Sequence, residues 1–224
     1  MKYKGILLDI DNTLYAYDDS HKVALEAVVD FIKNNFSFSE EEIDSAYHKA
    51  RRLVQIELGP TAASHNRVLY FQKMLEILDV NSLKYSLTVY NLYWDNFLIA
   101  MKPFNNVYKF LEKYKDKICL LTDLTAHIQH RKIKELKLDK YISLMVSSEE
   151  AGREKPHAYM FMAALQKMNL KVDEVCMIGD SFNKDIVGAS NLGIDSIWIN
   201  LKREHKEFNS SLVTEVSSFE EIRI

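Results

Sequence analysis

The sequence predicts an α/β fold: a doubly wound, Rossmann-like parallel sheet of strand order 3-2-1-4-5 with an inserted four-helix domain. Three observations predict it. Short apolar runs recur along the chain with helical or turn-rich stretches between them, the rhythm of βαβ units. One long interval, between the first run and Lys117, holds no such run and shows apolar spacings of three and four instead. The first run ends in two aspartates, which puts charge where open α/β sheets bind ligands, beyond the carboxyl ends of the strands.

The first strand leads into Ile6-Leu7-Leu8-Asp9-Ile10-Asp11-Asn12-Thr13-Leu14. Further strands are predicted over 118–122, 142–146, 175–179 and 196–200, as apolar runs of the length and composition of strands covered on both faces. Right-handed crossovers between them leave few topologies. Inside the long interval the spacing predicts helices over 21–36, 40–58, 64–78 and 83–97. Ser39 before Glu40-Glu41-Glu42 is a capping signal with Glu42 at the box position, and Gly59-Pro60 stops that helix. Ser64 is a candidate cap for the helix after it. Most connections span only about 2 to 8 residues, so an interval this long reads as a domain. The predicted division is 1–16 with 102–224 for the sheet and 17–101 for the helices, with linkers near 15–20 and 101–106.

A chain of 224 residues can bury one large core, or one core plus a small insert. With 29 Lys+Arg against 32 Asp+Glu the net charge is −3, which gives no basic footprint for nucleic acid. No apolar run approaches the ~18 residues of a membrane span, and Lys2-Tyr3-Lys4 before the first strand is unlike a cleavable signal. Cys119 and Cys176 sit inside apolar runs and read as buried, reduced thiols. Together these features predict a cytoplasmic protein, a monomer or homodimer, without nucleic-acid or membrane partners.

In an extended chain residues i and i+2 point the same way, so Asp9 and Asp11 can reach one small site if strand geometry persists through them. Two anions that close need a cation or a shared proton. Oxygen-only ligands suit a hard ion, Mg²⁺ being usual where carboxylates meet phosphate. The plain alternative is a turn in which Asp11 and Asn12 bond their own backbone. Three more signals fall at or just after strand ends: Leu120-Leu121-Thr122-Asp123, Glu154-Lys155-Pro156, and Ile178-Gly179-Asp180-Ser181 followed by Asp185. Singly each is weak, since Thr122 can cap a helix and Lys155 can be a solvated cation; their order along the chain is what gives them weight.

This combination resembles the haloacid dehalogenase superfamily, whose motifs are D-x-D-x-T, a later Thr or Ser, a Lys, and G-D-(S/D) followed by another Asp. The likeness runs from Lys4 to Asn200 and includes Gly152-Arg153-Glu154-Lys155-Pro156 and Asp185-Ile186-Val187-Gly188-Ala189. A helical insert between the first and second motifs also looks like members with a helical cap. The resemblance implies that Asp9 is a nucleophile forming an aspartyl-phosphate. It makes Asp11 the acid that protonates the leaving oxygen and the base that activates water. Thr122 and the amide of Asp123 would hold phosphoryl oxygens, with Lys155 offsetting charge on Asp9 and phosphate. Asp9, the Asp11 main-chain carbonyl and Asp180 would hold Mg²⁺, and Asp185 would orient a metal-bound water.

Within that family, Asp11 favours phosphoester over carbon–halogen cleavage, because an alkoxide must be protonated as it leaves. Position 123 is Asp where many relatives carry Asn, and an ionised side chain facing substrate would weaken anion binding. Candidates for substrate selection lie in the insert: His21, Arg51, Arg52 and the stretch Thr61-Ala62-Ala63-Ser64-His65-Asn66-Arg67, with His65 and Arg67 foremost. Arg153 reads as a solvated loop cation. Tyr85, Tyr90, Tyr93, Trp94 and Phe97 read as a packing face at helical spacing. The expected function is a Mg²⁺-dependent phosphatase acting on a small phosphorylated metabolite, a nucleoside monophosphate or a sugar phosphate. A phosphomutase, a 2-haloacid dehalogenase and a non-enzymatic phospho-accepting module are the competing readings.

Overall fold

The computed structural model describes residues 2–207 and 211–224. In chain order the elements are β1 (Gly5–Leu8), α1 (Tyr17–Asn35), α2 (Glu40–Leu58), α3 (Arg67–Ile77), α4 (Ser82–Ala100) and α5 (Val107–Lys113). There follow β2 (Ile118–Thr122), α6 (Ala126–Glu135), β3 (Leu144–Ser147), α7 (Ser148–Ala151), α8 (Ala158–Met168), β4 (Val175–Gly179), α9 (Val187–Ser190), β5 (Asp195–Ile199) and β6 (Val213–Val216). The chain forms two compact units, Met1–Ala16 with Lys102–Ile224, and Tyr17–Met101.

Among the described residues, the α/β unit holds a six-stranded sheet of order β3-β2-β1-β4-β5-β6, parallel throughout. The five strands predicted from apolar runs are present, and β6 adds a sixth at the edge. Its residues run half-buried, exposed, exposed, buried, so no continuous apolar stretch marks it in the sequence. The strand predicted over 142–146 is shifted, because Ile142 and Ser143 precede the ladder and pairing begins at Cys119 with Leu144.

Leu7 pairs with Cys119 on one side and Met177 on the other. These three pack with Leu121, Val146, Met160, Phe161 and Ala164 into one buried layer between the sheet and α8. Phe161 is fully buried, and truncation of such a side chain to Ala costs about 3–5 kcal/mol. Cys119 and Cys176 are free and buried, and burial pushes both thiols up to about 12.

The helical unit is α1 to α4 with a short 3₁₀ turn, Ala62–His65, before α3. Ser39 and Glu42 form the capping box: the Ser39 amide donates to Glu42 Oε2 at 2.8 Å, and the Glu42 amide to Ser39 Oγ at 3.3 Å. The third helix begins at Arg67, and its cap is Asn66, whose Oδ1 accepts from the Val68 amide at 2.9 Å. Ser64 therefore does not cap it; its hydroxyl donates to the Thr61 carbonyl inside the 3₁₀ turn. The first helix begins at Tyr17, inside the stretch expected to be a linker. Tyr93, Trp94 and Phe97 are buried in the unit's core, whereas Tyr85 and Tyr90 are only half-buried.

Candidate active site

The sheet order runs outward from β1 in both directions, so the topological switch lies between β1 and β4. Asp9 is the first residue beyond β1, Asp180 the first beyond β4, and Thr122 the last of β2. Lys155 lies on the loop between α7 and α8. Its buried Nζ donates to Asp9 Oδ1 at 2.6 Å, Asp185 Oδ1 at 2.7 Å and the Leu121 carbonyl at 2.9 Å. Those are the three bonds that an ammonium can make.

Thr13 completes this end of the sheet. Its Oγ1 lies 3.0 Å from Asp9 Oδ2 and 3.2 Å from Asp180 Oδ1, and it accepts from the Asp180 amide at 3.0 Å. The single hydroxyl proton serves one carboxylate at a time. The Asp180 carbonyl accepts from Trp198 Nε1 at 2.8 Å, and the Ser181 amide donates to Asp185 Oδ2 at 3.0 Å. A Cβ at Gly179 would stand 2.2 Å from that same Asp185 oxygen, so the strand end must be bare.

Asp9, Asp180 and Asp185 each present an oxygen within 4.8 Å of the others. Burial raises the Asp9 carboxyl well above its ordinary value against the pull of Lys155. Burial, then the neighbouring Asp185, pushes Asp180 up to about 7. Burial also opposes the charge on Lys155, but Asp185 and Asp9 overcome it and raise the ammonium above its ordinary value. One cation facing three carboxylates leaves surplus negative charge in a poorly solvated place. An all-oxygen donor set of that charge fits a hard divalent ion.

Asp11 is placed differently. The β1 ladder stops at Leu8, and Asn12 takes φ 62°, so regular strand geometry does not run on through the motif. The Asp11 carboxylate turns to Lys132 of α6, whose Nζ is 2.7 Å from both of its oxygens. The Tyr15 hydroxyl also donates to Oδ1. Gln129, one turn before Lys132, has Nε2 at 2.8 Å from Thr122 Oγ1, 2.6 Å from the Asp123 carbonyl and 3.5 Å from Asp11 Oδ2. Thr13, Gln129 and Lys132 were not singled out from the sequence. The available signal was a Gln and a Lys three apart among the apolar positions of an amphipathic helix, beside Ile128 and Ile133.

The Asp123 side chain is occupied: Oδ1 accepts from the Lys155 amide at 3.1 Å and Oδ2 from Lys184 Nζ at 2.8 Å. Burial alone would raise this carboxyl, but Lys155 and Lys184 bring it below the ordinary range. Its charge is thus compensated. Arg153 is exposed and donates to the Gly152 carbonyl.

In the helical unit Arg67 is buried, with its guanidinium 4.8 Å from the Tyr70 ring centre and 5.5 Å from that of Tyr93. It donates to the Tyr17 hydroxyl and, at 3.4 Å, to the His65 carbonyl. Among the described residues it has no carboxylate partner, and its Nε and the Tyr47 hydroxyl are buried without a hydrogen bond. His21 Nδ1 lies 2.7 Å from the Tyr93 hydroxyl, and burial, then Arg67, lowers that imidazole to about 4. His65 and Arg51 are half-buried, and Arg52 is exposed.

The sheet is of the α/β class with its charged groups at one end, and comparison with known proteins places it further. Residues 3–193 match the family model of haloacid dehalogenase-like hydrolases, and the chain belongs to that family. It is 33% identical to a ribulose-1,5-bisphosphate 5-phosphatase of Halopiger xanaduensis, over 89% of this chain and 86% of that one. A glyceraldehyde 3-phosphate phosphatase of Methanothermobacter thermautotrophicus is 28% identical over 98% of both chains. Among solved structures, the magnesium-bound HAD-hydrolase YfnB of Bacillus subtilis shares the fold with a TM-score of 0.74, at 17% identity over 99% of this chain and 97% of that one.

Proposed function

We propose that this hydrolase is a Mg²⁺-dependent phosphatase that removes phosphate from a small phosphorylated sugar through a phospho-enzyme on Asp9. The observation that carries the reading is the Asp9, Lys155, Asp185 and Asp180 cluster beside a second, separately held aspartate at 11. Phosphatase names on relatives covering most of the chain support phosphate as the group transferred, and those relatives' sugar substrates support the class.

The chemistry follows from what each group can do. Lys155 holds Asp9 Oδ1, and Thr13 lies beside Oδ2, which fixes the carboxylate for attack on phosphorus. An Asp9 oxygen bonds to phosphorus as the bond from phosphorus to the ester oxygen breaks. That leaving oxygen takes a proton from Asp11. In the second half, Asp11 takes a proton from water as the water oxygen attacks the same phosphorus, releasing inorganic phosphate and restoring the Asp9 carboxylate. The Thr122 hydroxyl and the Asp123 amide bind phosphoryl oxygens, and Lys155, its three protons already bonded, offsets charge on Asp9 and the phosphate from close by. Asp9, Asp180 and the Asp11 carbonyl would hold Mg²⁺, with Asp185 orienting its water, and the ion would supply charge neutralisation for phosphate beside carboxylates.

Selection among substrates is assigned to the helical unit, and there to Arg67 ahead of His65 and Arg51. A guanidinium buried without a carboxylate is suited to an incoming anion, such as a second phosphate or a carboxylate on the substrate. A phosphate-release screen over sugar phosphates, sugar bisphosphates and nucleoside monophosphates, with and without Mg²⁺, tests the reading. Release from sugar phosphates only with Mg²⁺ supports it. No release from any member with Mg²⁺ present overturns it.

A further inference from the structure

The chemistry asks Asp11 to act at two moments, yet the backbone does little to aim it. Asp9 is tied to the sheet by its amide, which donates to the Ile178 carbonyl at 3.0 Å. Asp11 lies beyond the ladder, at an isolated bridge to Tyr15 and next to Asn12 at φ 62°. Its direction is therefore set by side chains. The ones that set it are Tyr15, whose hydroxyl donates to Oδ1, and, from α6, Gln129 and Lys132, one turn apart and both fully buried.

A buried ammonium is expensive for a fold unless it is paired. The buried stripe of α6 is otherwise Ile128 and Ile133, where an apolar side chain of similar length would pack. Lys132 spends that cost on one carboxylate, with Nζ equidistant at 2.7 Å from its two oxygens. Gln129 Nε2 stands between Thr122 Oγ1 and Asp11 Oδ2, so the same helix face also aims the hydroxyl assigned to phosphate.

We propose that Lys132, assisted by Gln129, is a positioning residue that holds Asp11 where it meets the leaving oxygen and the attacking water. The inference rests on the phosphatase reading and deepens it. Lys132 touches neither substrate nor phosphorus in this scheme, and it acts through Asp11. Removing it should cost what misplacing Asp11 costs, and should leave Asp9 free to be phosphorylated.

The test is a double-mutant cycle on the full chain with Mg²⁺, using an alkyl phosphate that the enzyme hydrolyses and nitrophenyl phosphate. Lys132→Met should lower kcat on the alkyl ester by roughly 10²-fold, the scale of a lost acid/base, with KM changed less than about threefold. With nitrophenyl phosphate the release burst should persist and phosphate should accumulate on the protein. Lys132→Arg, which keeps charge and two donors, should recover most of kcat. Asp11→Asn/Lys132→Met should be no slower than Asp11→Asn alone, because the two act as a unit. Additive losses in the cycle, or wild-type kcat in Lys132→Met, overturn the proposal while leaving the phosphatase reading intact. A wild-type kcat in Asp11→Asn overturns the role of Asp11 and this inference with it. Circular dichroism checks folding, and if the Met variant is unfolded, Lys132→Gln enters the same cycle under the same criteria.

Discussion

Lys155 and Arg67 are buried cations, one in each unit, and their surroundings are opposites. Lys155 makes all three of its bonds to oxygens, two of them carboxylate oxygens, and is enclosed by the charges it serves. Arg67 is enclosed by rings, with one tyrosine hydroxyl and one backbone carbonyl as its acceptors. Both arrangements tolerate a buried charge, the first by pairing and the second by aromatic faces, whose cation–π attraction is about 0.5–2 kcal/mol per contact. The difference teaches what each charge is available for. A paired ammonium sets the geometry of its carboxylates, while the guanidinium keeps its Nε donor unused among the rings.

The comparison can be broken first in the α/β unit, where the effects should be largest. Asp9→Asn should abolish turnover, with no phosphate on the protein by intact mass after rapid quenching; wild-type turnover would sink the covalent route. Chelation should likewise stop turnover of the unmodified enzyme, and added Mg²⁺ should restore it; full activity in protein shown to be metal-free excludes the ion. Asp11→Asn should lose roughly 10²- to 10⁴-fold on an alkyl phosphate, the usual contribution of a proton shuttle. With nitrophenyl phosphate, whose leaving group needs little acid help, that variant should accumulate phospho-enzyme.

Stability sharpens the contrast directly. Lys155→Met strands buried carboxylates and should cost about 3–5 kcal/mol in urea denaturation, the usual result of removing one partner of a buried pair. Arg67→Met strands no counter-ion and should stay within about 1 kcal/mol of wild type, since lost ring contacts offset relieved desolvation. Equal losses in the two variants would erase the distinction drawn here.

The smallest effect is a pH dependence in the helical unit. His21 falls to about 4 in the folded state, chiefly through burial, so the unfolded chain binds its proton more readily. The contribution of His21, read as the stability of wild type minus that of His21→Gln, should therefore be flat above about 6.5 and decline as pH falls from 6.5 toward 4, by about 1–2 kcal/mol after allowance for partial exposure, while Asp180, raised to about 7, titrates in the opposite sense in both proteins. A difference between the two proteins that does not vary with pH would mean that His21 carries none of the slope.

The strand-end residues Asp9, Thr122 and Asp180 were legible because each interrupts or ends an apolar run with a polar group, which folding does not require there. The edge strand β6 was not, since half its residues face solvent and leave no apolar run. Helix starts were legible where a cap has a sequence partner, as Ser39 has Glu42, and misplaced where a competing turn intervenes, as Ser64 did ahead of Asn66. Lys132 and Gln129 escaped notice because a lysine in an amphipathic helix ordinarily faces water. Only the sheet's closure against α6 reveals that these two do not.

The bare end of β4 carries a consequence for how this site can vary. A side chain at Gly179 would occupy the volume of the Asp185 carboxylate, so a single methyl group there displaces the charge that accepts from Lys155 and the Ser181 amide. Positions 179 and 185 are in that sense one steric unit. An alanine at the glycine would change no charged residue of the sequence and would still dislodge the Asp185 carboxylate from Lys155 and the Ser181 amide.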